Sequence, residues 1–591
     1  MNLIKDKAGP DFSALREALA VPVEQPARTQ SATRADHRRA LELALARTGK
    51  KRGPSLADRA AVAVDEDRNL EGVRLAMAAL EEDPESLTAY LAGAVGLDRL
   101  GMRVEALEFY DQALKRAPNN GTIASLLGGC ASRMGEIGIA ERCYRAAAQL
   151  EPNDWTHISN LGGTLRDQGR FDDAVEVLRN AIYVHPEAAD LWNTLGTVLH
   201  ESGRAEEAIV FLQEAVRLKP GFSRAYHNLG ASLFDLARYR QAREALDVAL
   251  RGPVPASDRV EMTNMRSWAL LGDGVLEQGW AEYEQRLDPM VNDATHFLIP
   301  LPRWQGEALT GKRIILVGEQ GVGDEVLFSS CARDLIDAVG PTGKVMIACD
   351  RRLIAILTRT FPQAEVCSEV SIKRAGRTER AIKDFTAWDQ FDYWTPMGSL
   401  MRHFRKSLAD FPSAPAFLKP DEARVAAFRE QFSGAPGLKV GIAWKSLVMT
   451  PKRSRYFAPF AAWAPVLTCP NVTFYHLQPG DIDADLTMAK DKFNADIKTI
   501  DGLDVREDLD GIAAASAALD LVIAPMNASS NLAAACGAKT WLWHHYGGWT
   551  MLGTNDTPFY PNSRTFCARR AGDWAEIFEP IGADLRGLAG G

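Results

Sequence analysis

The chain has 591 residues, of which 46% are apolar and 25% are charged, a composition typical of a soluble globular protein. This length exceeds what one compact core supports, so we expect two or three domains. The formal net charge of −9 argues against nucleic acid as the main partner, because phosphate neutralisation needs a concentrated basic surface.

The N-terminal stretch lacks the continuous apolar core of a signal peptide, and no segment approaches the roughly 20 apolar residues of a membrane helix. The eight cysteines stand singly, without a Cys-x-x-Cys pair for zinc or a redox disulfide. We therefore expect a cytoplasmic protein with reduced thiols and no membrane contact. Residues 1–54, rich in proline, alanine and arginine, are interpreted as a partly ordered N-terminal lead.

Small residues recur every 34 positions over the next six units. One such set is Ala60, Ala94, Gly128, Gly162, Gly196 and Gly230. A second set begins at Gly72, a third begins at Ala79, and prolines close five of the units. This period is that of the tetratricopeptide repeat (TPR), in which paired antiparallel helices pack through small residues. The sequence thus predicts an α-solenoid with a concave, peptide-binding groove over 55–295, including an atypical capping pair that reaches 280–286.

Beyond a proline-rich linker at 297–304 the periodicity changes. Short apolar runs alternate with amphipathic helical stretches; the runs lie at 314–317, 345–348, 440–444, 472–475, 519–524 and 540–543. Runs of this kind are typical of parallel sheets buried on both faces. A proline-rich break near 412–436 separates two sets of strands. We therefore predict two Rossmann-like halves, at 300–425 and 436–591, with a cleft between the carboxyl ends of their sheets.

A glycine-rich segment at 318–324 directly follows the first of these strands. Gly321 and Gly323 let backbone amides approach an anion, and the start of the next helix adds a favourable dipole. The spacing is not that of a dinucleotide-binding motif, although a nucleotide oxidoreductase remains an alternative because Asp350 ends the next strand. Asp324 has two interpretations, an N-terminal helix cap or a general base at the cleft floor.

Two further segments are candidates for binding an anion. Lys445 follows a strand, where it can hold phosphate or belong to an exposed basic loop. Asn527, Ser529 and Ser530 lie at the start of a helix, where residues of these types either cap the helix or form an anion seat.

The aromatic residues at 541–549 and 559–561 either hold a base or sugar face or pack between the two halves. His544 and His545 are adjacent, so on a strand they point to opposite faces, and we expect no metal site there. The Asp-x-Asp pattern within 481–485 is interpreted as a solvated turn.

Several of these segments together resemble one family. The segments at 280–286, 304–309, 318–324, 440–444, 519–523 and 556–561 are similar to landmarks of TPR-fused bacterial glycosyltransferases, which are related to heptosyltransferases and to O-GlcNAc transferase. The resemblance covers about 55–580 and implies a metal-independent GT-B enzyme that binds a sugar nucleotide mainly through its C-terminal half. The expected fold class is therefore α + α/β, an N-terminal TPR α-solenoid followed by a GT-B fold of two Rossmann-like halves.

The resemblance also implies roles for single residues. Asp324 matches the position of the catalytic base, and the donor-binding candidates are Gly321, Gly323, Lys445, Gln478, Asn527, Ser529 and Ser530. Relatives carry an acidic residue and a histidine where this chain has Met526 and Asn531, which favours a donor chemically different from heptose. The chain most resembles alpha-proteobacterial flagellin O-glycosyltransferases of flagellum assembly. That subfamily implies a CMP-activated nonulosonic acid of the pseudaminic-acid type as donor, no cofactor, and Ser or Thr of flagellin as acceptor.

Asn160 and Asn228 are candidates for contacting the acceptor in the TPR groove, where they resemble a broken version of the asparagine ladder of O-GlcNAc transferase. Capping or turn contacts explain both residues equally well. A homodimer is a further expectation, since exposed TPR ends often pair. Two alternatives remain open: a non-enzymatic TPR scaffold with a degenerate GT-B domain, and a glycosyltransferase that uses another nucleotide sugar and a lipid or saccharide acceptor.

Overall fold

The computed structural model describes residues 37–38, 41–42, 55–291, 294–374, 377–447, 449, 451–454, 456–545, 548–568 and 572–590. The predicted N-terminal lead at 1–54 lies almost wholly outside the described residues. The chain divides into two compact units, Met1–Asn228 and Leu229–Gly591. This division falls inside a helix of the repeats, and the domain limits given by the sequence stay predictions.

The first unit is an array of paired helices. They are α1 (Leu56–Asp65), α2 (Asn69–Glu82), α3 (Leu87–Arg99), α4 (Arg103–Arg116), α5 (Gly121–Arg133), α6 (Ile137–Leu150), α7 (Trp155–Asp167), α8 (Phe171–Val184), α9 (Ala189–Glu201), α10 (Ala205–Leu218) and the first part of α11 (Ser223–Asp235). From α3 onward the first helix of each pair begins 34 residues after the previous one. The sequence period therefore corresponds to one helix pair, as predicted.

Glycines in the first helix of a pair let the second helix pack closely. A Cβ on Gly162 would lie 2.7 Å from Leu178 Cγ, and one on Gly196 would lie 2.5 Å from Leu212 Cγ. The turn inside each pair needs a left-handed residue, such as Gly169 with a φ of +74°. The recurring small residues thus set both the spacing of the helices and the turn between them.

The second unit continues with α12 (Tyr239–Arg251), α13 (Ala256–Gly272) and α14 (Leu276–Tyr283), followed by thirteen strands among the described residues. These are β1 (Thr295–Phe297), β2 (Arg313–Val317), β3 (Lys344–Cys349), β4 (Ala364–Ser368), β5 (Val370–Arg374), β6 (Arg377–Ala381), β7 (Tyr393–Pro396), β8 (Leu438–Ile442), β9 (Val472–His476), β10 (Ile497–Lys498), β11 (Leu521–Pro525), β12 (Thr540–His544) and β13 (Ser563–Cys567).

The strands form two parallel sheets and one small sheet. The orders are β4-β3-β2-β7, β10-β9-β8-β11-β12-β13 and β1-β6-β5, the last containing an antiparallel β5–β6 pair. In chain order the parallel sheets read 3-2-1-4 and 3-2-1-4-5-6, the order of Rossmann-type sheets. Ligands of such sheets bind beyond the carboxyl ends of the strands where the order reverses, here beside β2 and β7 and beside β8 and β11. A helical solenoid followed by parallel sheets confirms the predicted α + α/β class.

Helices cover the sheets and connect the parallel strands. They are α15 (Val322–Phe328), α16 (Ala332–Val339), α17 (Ile354–Thr360), α18 (Met401–Phe404), α19 (Glu422–Ser433), α20 (Pro451–Ser454), α21 (Ala464–Leu467), α22 (Asp483–Phe493), α23 (Leu509–Ala518), α24 (Ala528–Ala535) and α25 (Ala575–Gly590). One buried core runs from α13 and α14 through the first sheet to α24 and β12. The two sheets therefore share a core instead of forming separate globules.

The break predicted near 412–436 contains a helix, α19. Asp421 caps it by accepting a hydrogen bond from the Arg424 amide at 3.0 Å, and Val425, Phe428 and Phe432 are buried. The prolines of this segment only flank the helix, so the composition of the segment concealed a regular element.

Hydropathy and cysteine chemistry are two bulk properties of the described residues. No helix of the described residues is both long and apolar enough to cross a bilayer. All eight cysteines are free thiols, and five of them are buried.

Candidate functional site

The glycine loop, residues 318–324, joins the carboxyl end of β2 to α15. Gly321 is the N-cap of this helix, and its amide donates to Asp324 Oδ2 at 3.1 Å. Gln320, just before the cap, has a left-handed φ of +61°. Asp324 thus makes the hydrogen bond expected of a capping residue.

The second oxygen of Asp324 is not used by the cap. The side chain is half-buried, and no other residue that the structure describes donates a hydrogen bond to Oδ1. Burial raises the pKa of Asp324 to about 6, the Gly321 amide opposes this shift, and the charge of Glu319 adds to it. A carboxylate with a pKa close to neutrality and an unused oxygen is suited to accepting a proton from a hydroxyl.

A second carboxylate of the loop, Glu319, is committed to a buried ion pair. Arg286, which follows α14, donates to both Glu319 oxygens at 2.8 Å, and the Gly398 amide donates to the same carboxylate. Arg286 also donates to Ser399 Oγ at 3.1 Å and to Glu284 Oε1 at 3.0 Å. Glu319 therefore ties the glycine loop to the segment after α14 and is not available to a substrate.

The third carboxylate, Glu325, is also structural. It accepts hydrogen bonds from the Asp350 amide at 2.8 Å and from Arg380 Nη1 at 3.0 Å. Burial raises its pKa to about 7, against the opposing effects of these two donors. A Cβ on Gly318 would lie 2.6 Å from the Glu325 carboxyl carbon, which explains the first glycine of the loop. Of the three acidic residues, Asp324 is the one with an unused oxygen.

In the second sheet, the helix α24 begins directly after β11 with a cap built from polar side chains. Asn527 Oδ1 accepts from the Ser530 amide at 3.0 Å, and Ser530 Oγ accepts from the Asn527 amide at 2.9 Å. Ser529 Oγ donates to the Leu477 carbonyl at 3.0 Å. Ser529 and Ser530 are buried, so their hydroxyls support the helix start, while the first-turn amides lack acceptors within the helix.

Lys445 and Gln478 lie together beyond the ends of β8 and β9. Gln478 is fully buried, and its Oε1 accepts from the amides of Trp444 and Lys445 at 2.8 Å and 2.9 Å. Lys445 Nζ forms an ion pair with Asp485 at 2.7 Å. Asp485, from the Asp-x-Asp pattern, also accepts from Trp444 Nε1 at 2.8 Å. The predicted phosphate-binding lysine is thus already neutralised. The prediction of a solvated turn at 481–485 is wrong for its second half, because α22 begins at Asp483 and Asp485 is half-buried against Lys445.

The glycine loop and the start of α24 are in direct contact. Asn531 Nδ2 donates to the Gly323 carbonyl at 2.8 Å. A Cβ on Gly323 would lie 3.4 Å from the Ala528 amide nitrogen. The structure thereby brings together Gly321, Gly323 and Asp324 with Asn527, Ser529 and Ser530. Lys445 and Gln478 are joined to this group through the bond from Ser529 to Leu477, without a direct contact to the glycine loop among the described residues.

Aromatic residues from distant parts of the second unit surround the loop. Tyr283 and Trp280 of α14 pack against Trp549 with ring centroids 6.0 Å and 5.9 Å apart. Tyr560 is buried close enough to Asp324 for the two groups to affect each other, and its hydroxyl has no partner among the described residues. Sequence reasoning missed the roles of Tyr283, Arg286 and Tyr560 here. The motif at 280–286 was visible in the sequence. A single sequence gives no sign, however, that the capping helices of the repeats contact the glycine loop more than thirty residues later.

The aromatic residues predicted either to hold a base or sugar or to pack between the halves include two tryptophans and a histidine with well-defined contacts. Trp541 and Trp543 are buried in the core beneath the second sheet. His545 stacks on Trp574 with centroids 4.4 Å apart. This arrangement agrees with the packing interpretation of these residues.

Two acceptor candidates lie in the first unit. Asn228 donates to Asn193 Oδ1 at 2.9 Å and to Thr197 Oγ1 at 3.0 Å, so it links neighbouring repeats. Asn160 is half-buried, and its carbonyl accepts from Thr164 Oγ1 at 2.9 Å. Asn160 lies in α7 and Asn228 in α11, and their role in binding an acceptor stays a prediction.

One group of potential metal ligands occurs within the described part of the chain, formed by Glu151, Asp154 and His157. Glu151 accepts from the amides of Gly121 and Thr122 at 2.8 Å and 3.2 Å, and His157 Nε2 lies 3.1 Å from its second oxygen. These bonds connect one repeat to the next, and they account for the cluster without an ion.

Comparison with known proteins identifies the repeats. Models described as tetratricopeptide repeat match residues 160–221 and 199–252. The chain contains tetratricopeptide repeats. Three solved structures are similar to it: YrrB, a TPR protein with an unusual peptide-binding site (22% identity, 30% of this chain and 91% of that chain, TM-score 0.24), a MamA protein (23%, 28% and 90%, 0.24), and the APC/C hetero-tetramer Cut9–Hcn1 (17%, 43% and 50%, 0.35). TM-scores this low give no information on function.

A curated relative covers more of the chain. The chain is 40% identical over 344 residues to Protein FlbA of Caulobacter vibrioides, which is 58% of each sequence. The chain therefore spans little more than half the length of this relative.

Proposed function

We propose that this TPR-containing protein is a metal-independent protein O-glycosyltransferase. It would move a nonulosonic acid of the pseudaminic-acid type from a CMP-sugar to Ser or Thr of flagellin, in the cytoplasm. The TPR array would bind the acceptor protein, since stacked repeats present an extended surface for peptides. The donor and acceptor follow from the resemblance of the sequence to flagellin glycosyltransferases.

One observation carries the proposal: Asp324 lies at the carboxyl edge of a Rossmann-type sheet with an unused oxygen and a pKa of about 6. Its loop contacts the first turn of α24, which begins at the corresponding edge of the second sheet. This is where open parallel sheets bind ligands. Two such edges in contact, one with a base and one with first-turn helix amides, suit the transfer of a group from a phosphate leaving group to a hydroxyl.

The chemical step in this proposal has three simultaneous parts. The acceptor hydroxyl oxygen forms a bond to the anomeric carbon of the sugar. The bond from that carbon to the phosphate oxygen breaks, and its electron pair leaves with CMP. The hydroxyl proton passes to Asp324, whose pKa of about 6 leaves the carboxylate mostly ionised at neutral pH. The amides of the glycine loop other than that of Gly321, which donates to Asp324, would stabilise the charge on the departing phosphate together with the amide of Ala528.

A second function is a TPR scaffold whose α/β domain no longer transfers sugar. Specific contacts favour it: Lys445 is neutralised by Asp485, the buried hydroxyls of Ser529 and Ser530 donate to backbone carbonyls, and Asn531 bridges to Gly323. Thermal unfolding with CMP, UDP and ADP separates the two functions. A nucleotide that binds only the folded state at 100 times its Kd stabilises it by about 2.7 kcal/mol. A scaffold would show no rise in Tm with any of the three.

The direct test is the intact mass of flagellin from cells with and without this protein. An added mass of one nonulosonic acid per modified site supports the proposal, and an unchanged mass refutes it. Complementation with Asp324→Asn should leave flagellin unmodified, because the amide keeps the cap to Gly321 but cannot take up the proton. Asp410→Asn is a matched control, since Asp410 caps an exposed helical turn in the same way by accepting from the Ser407 amide at 2.7 Å. Asp410→Asn should restore full modification.

Binding of flagellin by the TPR array distinguishes a protein acceptor from a lipid or saccharide acceptor. If the repeats served assembly alone, purified protein would transfer sugar to a small acceptor and would not bind flagellin. Co-purification of flagellin with the Asp324→Asn variant, whose array is unchanged, is expected under the proposal.

A further inference from the structure

Gln320, the residue before the helix cap in the glycine loop, is held through both its side chain and its backbone carbonyl. Gln320 has a φ of +61°, a conformation that costs a residue with a Cβ about 1–2 kcal/mol. Its side-chain Nε2 donates to the Tyr283 hydroxyl at 2.7 Å. Its carbonyl accepts from Arg380 Nη2. Strained residues persist only where the surroundings fix them, and these two contacts come from different elements, α14 and β6.

Tyr283 is itself rigidly placed. It is 2% exposed, its ring packs edge-on against Trp280 at 5.7 Å, and the Arg286 guanidinium lies 4.3 Å above it. The bidentate pair of Arg286 with Glu319 fixes the loop one residue before Gln320. Tyr283 at the end of α14 and Arg286 just after it therefore contact two consecutive residues of the glycine loop through separate hydrogen bonds.

The order of residues in the loop connects this contact to Asp324. Gln320 immediately precedes Gly321, whose amide is the donor to Asp324 Oδ2. A change in the ψ of Gln320 would rotate the peptide that carries this amide. We propose that Tyr283 is a positioning residue for Asp324, acting through the conformation of Gln320 and the amide of Gly321. The catalytic meaning of this role rests on the proposed function.

A packing role alone would need only the aromatic ring of Tyr283. Tyr283→Phe keeps the ring contacts and removes the hydroxyl, so it separates the two roles. Tyr110→Phe is the matched control. Tyr110 is a fully buried tyrosine of α4 whose hydroxyl has no hydrogen-bond partner in the described part of the chain.

The first test is amide hydrogen exchange of peptides covering 318–324 in the full-length protein. Tyr283→Phe should raise the exchange rate of the Gly321 amide about tenfold or more, with little change in β2. Gln320→Asn keeps a residue type that tolerates left-handed φ but shortens the side chain, and it should have the same effect. The double variant should exchange no faster than either single variant, because both substitutions remove the same hydrogen bond between Gln320 and Tyr283. Unchanged exchange in Tyr283→Phe, or fully additive effects, would overturn the proposal.

The second test is turnover with CMP-sugar and flagellin. Tyr283→Phe should lower kcat about tenfold and leave the KM for the donor within twofold. The acidic limb of its kcat profile should move below pH 6, because a loosened loop admits water and reverses the burial that raises the pKa of Asp324. Faster exchange with wild-type kcat and pH profile would refute positioning in an active enzyme. A wild-type protein without transferase activity would refute the proposed function, and the exchange result would still decide whether Tyr283 positions the loop.

Discussion

Glu319→Gln tests whether the buried ion pair after α14 holds the second unit together. The substitution keeps the shape of the side chain and removes the charge opposite Arg286. Both side chains are almost fully buried, at 2% and 7% exposure, and the pair is bidentate at 2.8 Å. Removing one partner of a buried pair costs about 3–5 kcal/mol, because an uncompensated charge remains in the interior. Glu284, which accepts from Arg286 at 3.0 Å, keeps part of the compensation. We therefore expect a loss near the lower limit, about 3 kcal/mol.

The assay is urea unfolding followed by tryptophan fluorescence, since Trp280 and Trp549 lie beside the pair. The control is Glu507→Gln, which removes an exposed partner of Arg351 whose side chains are 44% and 69% exposed. Exposed pairs contribute about 0–1 kcal/mol, so the control should lose less than about 1 kcal/mol. If Glu319→Gln lost no more than the control, the ion pair would not be what joins α14 to the glycine loop.

Three further predictions concern stability. Gly196→Ala should cost about 1–3 kcal/mol in urea unfolding, because the new Cβ would lie 2.5 Å from Leu212 Cγ, whereas Gly163→Ala, with no atom within 4 Å, should gain about 0.5–1 kcal/mol. Ala237→Gly should raise the free energy of unfolding by about 0.5–1 kcal/mol, because this alanine has a φ of +53°; a loss would show that its methyl contributes to packing. Burial raises the pKa of Glu325 in the folded state from 4.5 to about 7, so the folded state retains a proton that the unfolded state releases. The free energy of unfolding should therefore fall as the pH rises from about 4.5 to 7, by at most about 1.4 kcal/mol per pH unit. Glu325→Gln should reduce that fall in a pH series of unfolding curves, most clearly above pH 6, because Asp324, with its pKa raised to about 6, contributes to the fall at lower pH. An unchanged slope above pH 6 would contradict the assignment.

The repeats were predictable because their signal is local and repeated. Gly162 and Gly196 are required by contacts to residues sixteen positions later, within the same helix pair. Each unit repeats the same requirement, so the period is visible in a single sequence without knowledge of the fold. The central strands β2, β8, β11 and β12 were predictable for a related reason, since most of their residues are buried on both faces and their sequences are mostly apolar.

Peripheral elements were missed because their burial is incomplete. The strands β4 and β13 contain polar residues and are largely half-buried, so their sequences do not resemble core strands. The helix α19 was hidden by flanking prolines, although Asp421 was a readable capping signal.

The candidate site was predictable in position but not in partners. Gly321 and Asp324 were identified from the loop after a strand, and the structure places them at the carboxyl edge of the first sheet. The pairing of Lys445 with Asp485 and the bond from Asn531 to Gly323 join residues 40 and 208 positions apart. Such pairs depend on tertiary contacts that no local pattern encodes.

The assignment of Asp324 does not require a choice between a cap and a base. A cap needs one carboxylate oxygen, and Gly321 occupies Oδ2 only. The bond to Gly321 fixes the plane of the carboxylate, while burial raises its pKa to about 6 and the neighbouring charge of Glu319 adds to that effect. Glu319 could not take the same role, because Arg286 and Gly398 occupy both of its oxygens. In the proposed mechanism the helix cap would orient Oδ1. Arg286, which follows α14, holds Glu319, and Tyr283, the last residue of α14, holds Gln320, so these two contacts would in turn orient the cap.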